Sequence, residues 1–588
     1  MLVLVWLLGG VWFVAEASQI PTAGSATPAD NVVPGSEACA SCHTEIYESY
    51  SKTAMATASG PAIDGFMGGG FTNKTSGVTY RVYERDAGSR VALGPSGSET
   101  RTRTIPNQPL RTATVPKRAV WMSYERAGEK GFGGERELLY FIGSGVKGRT
   151  YLFSVDGFWF EAPIIWYSQE GKWNMTPAYS EAREMPMNLP AYPSCLNCHS
   201  SGMRAPVAGT DSQFLGEPFA HGGITCERCH GFGAGHVEGK GAGVASSIVN
   251  PAKLPAERRD GICMECHFEG AAAVQQPGKH LYDFQPGDRL SDYEHYSLLS
   301  GNQPEKPQGL SQFEALSLSE CKRKSGERMW CGSCHDPHQE PSAAEKVSYY
   351  RGKCLACHGE AFAAKHHADK PNCVACHMPE LPTKDVAHTE TTDHRIMRYP
   401  NIPPLPRLEV RGTPGAPLVA FPASDAALST TRDFALAWES LALRGVEDAP
   451  ALAEEYLQKA VKERPDDPAV LSALGFVEQE HKNENAAREL YQRALKIDPL
   501  DNQAAANLGM IEARAGNLRQ AAELWQGAFS RVPHRSAIGM DLAILFCSAN
   551  QKEDARRYVE RVLEFNPDDA KAKSLLAHLN ENPVQCRP

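Results

Sequence analysis

Residues 331–378 contain three copies of a five-residue pattern: Cys331-Gly-Ser-Cys334-His335, Cys354-Leu-Ala-Cys357-His358 and Cys373-Val-Ala-Cys376-His377. The pattern Cys-x-x-Cys-His is the attachment site of a c-type haem. Its two thiols form thioether bonds with the porphyrin, and the histidine that follows binds the iron from one face. This stretch therefore predicts three covalently bound haems.

Four more copies lie upstream in the chain, at Cys39/Cys42/His43, Cys195/Cys198/His199, Cys226/Cys229/His230 and Cys263/Cys266/His267. Cysteine pairs of this spacing also build zinc sites, which is the main alternative. Zinc does not require a histidine directly after every second cysteine, whereas all seven copies have one. We therefore expect seven haem c groups, with these seven histidines as the proximal iron ligands.

Three of the 17 cysteines, Cys321, Cys547 and Cys586, lie outside the motifs. Their odd number suggests no disulfide framework, and Cys547 in an apolar run is expected to be a small buried hydrophobe. The formal charge of −10 becomes more negative when haem propionates are added. An acidic field disfavours nucleic acid as a partner and favours basic redox partner proteins.

The chain begins with an apolar segment, residues 1–17, that ends in Ala15-Glu-Ala17 and fits a signal-peptide cleavage site. No Lys or Arg precedes Lys52, so the usual basic start is missing and an uncleaved anchor is the alternative. No other stretch is long and apolar enough to span a membrane. We expect export to the periplasm or the cell exterior, no integral span after cleavage, and a flexible linker over residues 18–35.

Residues 36–400, here called the motif region, are predicted to form a mostly α-helical or irregular domain packed around haems. A β-rich insertion is expected at about 65–190. There, Arg149–Val155 and Phe158–Ala162 flank Asp156-Gly157, which is a strong hairpin signal. A second hairpin is expected between residues 79–84 and 90–93. The many aromatic residues here are expected to pack a small sheet against haem faces, the alternative being a substrate site.

Six prolines stiffen residues 401–430, which we predict to be a linker without regular structure. Beyond it, Pro465, Pro499, Pro533 and Pro567 recur every 34 residues. That period, with small residues where two helices approach, is the tetratricopeptide repeat (TPR). Residues 431–580, here called the solenoid, should hold four repeats and a capping helix. The fold class is thus multidomain α+β, ending in an all-α array.

Several short segments are shared with a known family. They include Gly35-Ser-Glu-Ala-Cys39, Pro163-Ile-Ile-Trp-Tyr167, Cys226-Glu-Arg-Cys-His-Gly231, Cys334-His-Asp-Pro-His338 and Cys376-His-Met-Pro379. On these segments the chain resembles secreted bacterial multihaem c-type cytochromes fused to C-terminal TPRs. The resemblance covers residues 35 to about 400 and extends through the repeats. It implies this architecture, with electron transfer as the expected role.

Each iron also needs a second axial ligand, and the motif region supplies candidates. They are Met55, His221, His236, His295, His338, His366, His388 and His394. A glycine loop carries His236, and His338 is expected to reach a neighbouring haem. For Met55 the alternative is a buried core methionine. His280 and one of His366 and His367 are expected at the surface or beside a ligand.

Two functions are compatible with these motifs. The first is electron transfer along seven haems, with the solenoid docking a protein partner. The second is an oxidoreductase acting on a small nitrogen or sulfur compound at one haem with an open site. A weaker third hypothesis makes the haems a redox sensor for the repeats. We favour electron transfer and assign no catalytic residue, because the candidate ligands outnumber the irons.

Overall fold

The computed structural model describes residues 34–86, 118–240, 248–299, 311–366, 370–380, 392–398, 418–422 and 426–581. The expected signal peptide, most of the residue 18–35 linker and the candidate ligand His388 lie outside these ranges. Among the described residues, no helix has the length and apolar character needed to cross a membrane.

The β-rich insertion consists of two antiparallel sheets. One has the order β2-β3-β4-β5, and the other runs β1-β6-β7-β9-β10 with β8 paired to β7. The strands are β1 Ser59–Pro61, β2 Gly69–Thr72, β3 Val78–Asp86, β4 Arg118–Arg126, β5 Gly133–Leu138, β6 Tyr140–Ile142, β7 Gly148–Val155, β8 Phe158–Glu161, β9 Ile164–Tyr167 and β10 Lys172–Met175.

The predicted hairpin at Asp156-Gly157 is confirmed, because β7 and β8 pair in register from Val155↔Phe158 to Leu152↔Glu161. Asp156 and Gly157 both have positive φ, 52° and 79°, the backbone that a tight two-residue turn requires. The other predicted hairpin differs. β3 pairs with β4 and β2, and its expected partner at residues 90–93 lies outside the described residues.

The aromatic residues of the insertion form its own core. Tyr80, Phe153 and Phe160 are fully buried there, and Phe565 of the solenoid joins the same cluster. The aromatic residues of this core do not line the large cavity described below. They pack against each other and against the solenoid, and their packing against haem faces stays a prediction.

The rest of the motif region has little regular structure, as predicted. Its two small antiparallel sheets pair β11 Ser200–Met203 with β12 Phe219–Gly222, and β13 Ala272–Gln275 with β14 Glu294–Leu299 and β15 Leu418–Phe421. Its described helices are α1 Glu37–Ala40, α2 Thr44–Tyr50, α3 Pro193–His199, α4 Glu227–His230, α5 Ala234–Glu238, α6 Ala256–His267, α7 Gln312–Leu318, α8 Glu320–Ser325, α9 Cys331–Cys334, α10 Lys346–His358, α11 Glu360–Lys365 and α12 Cys373–His377.

The strand β15 corrects one expectation about the linker. Residues 418–421 lie within the segment predicted to lack regular structure, yet they pair with β14 from Leu299↔Leu418 to Tyr296↔Phe421. These four residues, Leu-Val-Ala-Phe, contain no proline, so each can form the backbone hydrogen bonds of a sheet. The prolines elsewhere in the linker led to the prediction that the whole segment, including this short apolar run, lacks regular structure.

The C-terminal part is a series of antiparallel helix pairs, which confirms the repeat pattern. The helices are α13 Thr431–Leu443, α14 Ala449–Glu463, α15 Pro468–Glu480, α16 Glu484–Ile497, α17 Asn502–Arg514, α18 Leu518–Arg531, α19 Ser536–Ser548, α20 Lys552–Phe565 and the capping helix α21 Ala570–Glu581. Gly475 packs against the ring of Tyr491 and Gly509 against Trp525, so these glycines allow the helices to approach closely.

Cys547 departs from the expectation of a simple buried hydrophobe. The residue is buried in the solenoid core, as predicted. It is also disulfide-bonded, so the expectation that the cysteines outside the motifs form no disulfide is wrong. The odd number of these cysteines led to the prediction of no disulfide, but three cysteines can still form one pair.

The solenoid packs against the motif region near both of its ends. At the first end, Trp438 and Ala435 of α13 share a core with Ala272, Val274 and Leu418 of the three-stranded sheet. At the other end, Phe565 enters the core of the β-rich insertion. One edge of the solenoid is therefore covered by its own chain.

Polar contacts reinforce the second end. Asp568, almost fully buried, pairs with Arg126 and with Lys573, whose Nζ lies 2.8 Å from its Oδ1. The backbone N–H of Met185 donates to the same carboxylate at 2.7 Å. Between the two ends, the Nε2 atom of His534 lies 3.3 Å from Asp211. The turns that connect successive repeats therefore make these contacts.

Candidate haem cavity

Each motif forms one turn of helix, which gives it the geometry that haem attachment requires. In the first, third and fifth motifs the histidine N–H donates to the carbonyl of the first cysteine, as in His43 to Cys39 at 2.9 Å. The other four motifs lie at the C-terminal ends of α3, α6, α10 and α12. Residues three apart share a helix face, so both thiols of a motif face the same side.

A cavity of about 2700 Å³ lies inside the motif region. A site for one small molecule measures about 300–1,000 Å³, so this cavity is several times larger. The residues of the predicted attachment sites that line it are Cys195, Cys198, His199, Cys229, Cys263, Cys266, His267, Cys331, Cys334, His335, Cys354, Cys357, His358, Cys373 and His377. The shape and lining fit several haem groups held side by side.

The motif cysteines and histidines that do not line this cavity lie next to it. Cys39 of the first motif is within hydrogen-bonding distance of Cys226 of the third. The N–H of Gly35, just before the first motif, donates to Glu227 at 3.1 Å. Cys42 and His43 are exposed near this contact, while Cys226, His230 and Cys376 flank the cavity-lining members of their own motifs.

Neighbouring motifs contact one another in a continuous series. The second and fourth meet where Cys198 and Cys266 lie within hydrogen-bonding distance, and the fourth and fifth meet at Cys263 and Cys331. Cys354 of the sixth motif lies beside Cys373 of the seventh and near Cys334 of the fifth. Cys229 of the third motif lies near Cys263 of the fourth, so all seven predicted attachment sites are linked through such neighbours.

Among the residues that the structure describes, three proximal histidines each face a second histidine. The ring centres are 6.0 Å apart for His230 and His338, 6.2 Å for His335 and His394, and 6.0 Å for His377 and His366. A metal–nitrogen bond of about 2.0 Å plus about 1.1 Å to the ring centre, taken twice, gives about 6.2 Å. The observed separations therefore match two imidazoles on opposite sides of one metal ion.

The ring orientation of these histidines is also suited to metal binding. The Nδ1 atom of His230 lies 2.7 Å from the carbonyl of Val249, and that of His377 lies 2.6 Å from Met397 O. His394 has the same contact with Thr392 O at 2.8 Å. When Nδ1 donates to a carbonyl, Nε2 is left without a proton and can bind a metal.

Burial keeps three of the proximal imidazoles neutral. It lowers the pKa of His335 to about 4, helped by the neighbouring His394 and His267. Burial likewise lowers the pKa of His230 and of His267. A neutral imidazole is the form that binds a metal, so these side chains are ready to do so at neutral pH.

Three further candidates are close to the motifs. Met55 lines the cavity and is only partly buried, unlike a core methionine. His221 packs against Gly35 at the start of the first motif, so closely that a Cβ on that glycine would lie 2.8 Å from its ring. His236 lies on α5 shortly after the third motif, and its buried Nδ1 has no hydrogen-bond partner among the described residues.

Two other histidines, His295 and His280, are not positioned as distal ligands. His295 is on the opposite face of β14 from Glu294 and Tyr296, which line the cavity. Its Nδ1 instead contacts Asp433 of the solenoid at 2.8 Å, so it does not face the cavity as a distal ligand would. His280 stacks on Tyr282 at 4.8 Å and is exposed, in agreement with the expected surface role.

The sequence analysis missed residues inside the motifs themselves. Arg228, between the cysteines of the third motif, pairs at 2.9 Å with Glu265 of the fourth. Burial raises the pKa of Glu265 to about 7, although Arg228 opposes this shift. The sequence feature that could have indicated this contact is a charged residue between the two cysteines of each of these two motifs. Basic residues also line the cavity and can neutralise propionates: Lys324, Arg328, Lys346, Arg351, Lys353 and Lys370.

Comparison with known proteins gives two family matches. Residues 167–231 match the family described as cytochrome c554 and c-prime, and residues 512–579 match a tetratricopeptide repeat family. This part of the chain is therefore similar to c-type cytochromes. Covalently bound haem c is the cofactor that this family implies, and the repeats indicate interaction with proteins. No curated protein matches the chain.

Solved structures resemble part of the chain. The structure titled MamA RS-1 ArsTM double mutant is 16% identical, covers 26% of this chain and 85% of its own, and has a TM-score of 0.23. The structure titled for Pseudomonas aeruginosa pilF is 21% identical, covers 26% and 69%, and has a TM-score of 0.24. A Parabacteroides merdae tetratricopeptide repeat protein is 16% identical, covers 26% and 62%, and has a TM-score of 0.23.

Proposed function

We propose that this chain is an extracytoplasmic c-type cytochrome that binds seven haems and transfers electrons along them, and whose solenoid docks a protein partner. The cytochrome domain and the repeats are the coarse basis of this proposal. The number of haems rests on the seven motifs, each of which adopts the same single helical turn.

The observation that carries the proposal is the set of three facing histidine pairs. Haem c, when bound, supplies reversible one-electron exchange at its iron. A second histidine opposite His230, His335 or His377 would occupy the position where a substrate would otherwise bind to a haem held there. Such sites favour electron transfer over catalysis. Each second histidine comes from a different segment, so the segments also hold one another in place.

The unbroken series of motif contacts supports transfer over a long path. Thiols of neighbouring motifs approach to hydrogen-bonding distance at Cys39 and Cys226, and at Cys354 and Cys373. Groups attached at such sites would lie near one another along the whole series. The remaining distal positions would be taken by Met55, His221, His236 and His388, one for each of the other four proximal histidines.

The solenoid is proposed to dock a redox partner protein. Its described contacts with the motif region involve α13, the turns between repeats, the end of α20 and the start of α21, at residues such as Asp433, His534 and Phe565. The remaining helix surfaces of the solenoid are the proposed docking site. A partner bound there would be held at a fixed position relative to the cavity.

An exported location is supported by two features. Haem is attached to c-type motifs outside the cytoplasm, and domains of this class are usually exported. Cys547 is disulfide-bonded, and such bonds persist in oxidising compartments. The negative net charge remains compatible with a basic redox partner.

One observation favours the alternative, an oxidoreductase with an open site. Burial raises the pKa of Glu161 to about 7, despite a hydrogen bond with Thr150. This carboxyl group lies near Cys195 of the second motif and near Tyr179. A carboxyl group that titrates near neutral pH can act as a general acid, which a reaction at the second haem would need.

Low-temperature electron paramagnetic resonance of the oxidised protein, combined with carbon monoxide binding to the reduced protein, separates the two functions. Electron transfer predicts low-spin signals and no carbon monoxide adduct. One high-spin haem that binds carbon monoxide would favour the oxidoreductase. In that case, Glu161→Gln should lower turnover of nitrite or a similar small compound without changing the haem content.

A further inference from the structure

Three motifs each contribute one intervening residue to a buried polar cluster. Asn197 lies between the cysteines of the second motif, Arg228 between those of the third and Glu265 between those of the fourth. Haem attachment requires only the cysteines and the histidine. The residues between them are therefore available for another role.

Their contacts join three separate helices. Arg228 donates to Glu265 Oε2 at 2.9 Å and to the backbone carbonyl oxygen of Asn197 at 3.2 Å. The exposed fractions of the Arg228 and Glu265 side chains are 12% and 2%, and Asn197 is buried as well. Ions this deeply buried are stable only when they are paired and hydrogen-bonded. The cluster thus fixes α3, α4 and α6 relative to one another.

The same charges lie among the attachment thiols. Arg228 is close enough to Cys198, Cys229 and Cys266 for their charges to interact. Cys198 is also 3.6 Å from the carbonyl of Glu265. A positive charge near an iron favours its reduced state, and a negative charge favours its oxidised state. At such sites the low surrounding polarity strengthens both effects.

We propose that Arg228, Glu265 and Asn197 form a positioning cluster that holds the second, third and fourth haem sites in register and balances the charge that those haems experience. This inference rests on the proposed function, because it assumes that haems are bound at these motifs. Arg228 and Glu265 act through position and opposite charge. Removing either one leaves the other uncompensated beside three attachment sites.

The test is spectroscopic redox titration of the whole haem-loaded protein. Glu265→Gln leaves Arg228 unopposed and should raise the potentials of a subset of haems. The double variant Arg228→Gln/Glu265→Gln removes both charges, so those potentials should return toward their wild-type values. Thermal stability should fall in the single variant. A purely structural cluster would lower stability without this signed shift and its reversal.

A matched control is Arg126→Gln, which breaks a buried ion pair with Asp568 outside the cavity lining. It should lower thermal stability and leave every potential unchanged. If Glu265→Gln fails to mature, Asn197→Asp adds a negative charge to the cluster and should lower the same potentials. Unchanged potentials in these variants, or a shift that persists in the double variant, would overturn the inference.

Intact mass of each preparation separates this inference from the proposed function. A wild-type chain without covalent haem would defeat the proposed function. A wild-type chain with seven haems whose potentials ignore these substitutions would defeat the positioning cluster alone. The two failures are therefore distinguishable in one set of samples.

Discussion

Replacing Phe565 with alanine should release one end of the solenoid from the β-rich insertion. The Phe565 ring is 2% exposed and lies in the core of the insertion. Its centre is 5.8 Å from that of Phe158 and 5.6 Å from that of Phe160. The Arg561 guanidinium lies 4.4 Å above its other side. The ring thus joins two domains that the repeat pattern treats as separate.

The expected cost follows from that burial. A buried phenylalanine replaced by alanine loses about 3–5 kcal/mol, because transfer energy and cavity formation add. For a cooperative unit of 150–250 residues, this corresponds to a decrease of about 6–20 °C in Tm. Differential scanning calorimetry of the haem-loaded protein should show this decrease, or a new separate transition for the solenoid.

A second measurement identifies the interface as the cause. The amide of Met185 donates to Asp568 across this contact, so hydrogen exchange at Met185 should accelerate in Phe565→Ala. The matched control is Phe529→Ala, because Phe529 is 3% exposed but lies inside the solenoid core. The control should lose similar stability and keep Met185 protected. Unchanged exchange in Phe565→Ala, with a loss below about 1 kcal/mol, would refute the reasoning.

Two further predictions follow. His338→Ala should keep every haem attached but convert one of them to a high-spin form that binds carbon monoxide. The control His295→Ala should create no such form. An unchanged spectrum for His338→Ala would contradict the pairing of His338 with His230 of the third motif. Burial alone would raise the pKa of Asp568, but hydrogen bonds from Arg126 and Lys573 hold it below 3.8. Its stabilisation is thus fully present above about pH 4 and lost as the pH falls further, which hydrogen exchange at the interface should detect. Acid-independent protection down to pH 2 would contradict it.

The sequence predicted the attachment sites and the repeats because both have rigid spacing rules. A Cys-x-x-Cys-His turn and a 34-residue helix pair are set by local geometry, so their residues can be read without the fold. The hairpin at Asp156-Gly157 was predictable for the same reason. The contact between α13 and His295, by contrast, joins residues more than a hundred positions apart.

Long-range contacts explain what could not be predicted. The 34-residue period predicts how the helices pack within the solenoid. It does not predict which part of the motif region Phe565 and Asp568 contact. In the sequence, His295 cannot be distinguished from a histidine that serves as a distal ligand. Only its position on one face of β14 shows that its side chain contacts Asp433. The pairing of Arg228 with Glu265 likewise depends on how three short helices meet.

The most direct test of the account is the intact mass of the protein from a host that attaches haem c. The account predicts a mass above that of the bare mature chain by seven haem units, and six units when Cys373 and Cys376 are both replaced by alanine. A fully loaded wild-type protein with fewer than seven units, or a double variant that keeps all seven, would contradict it.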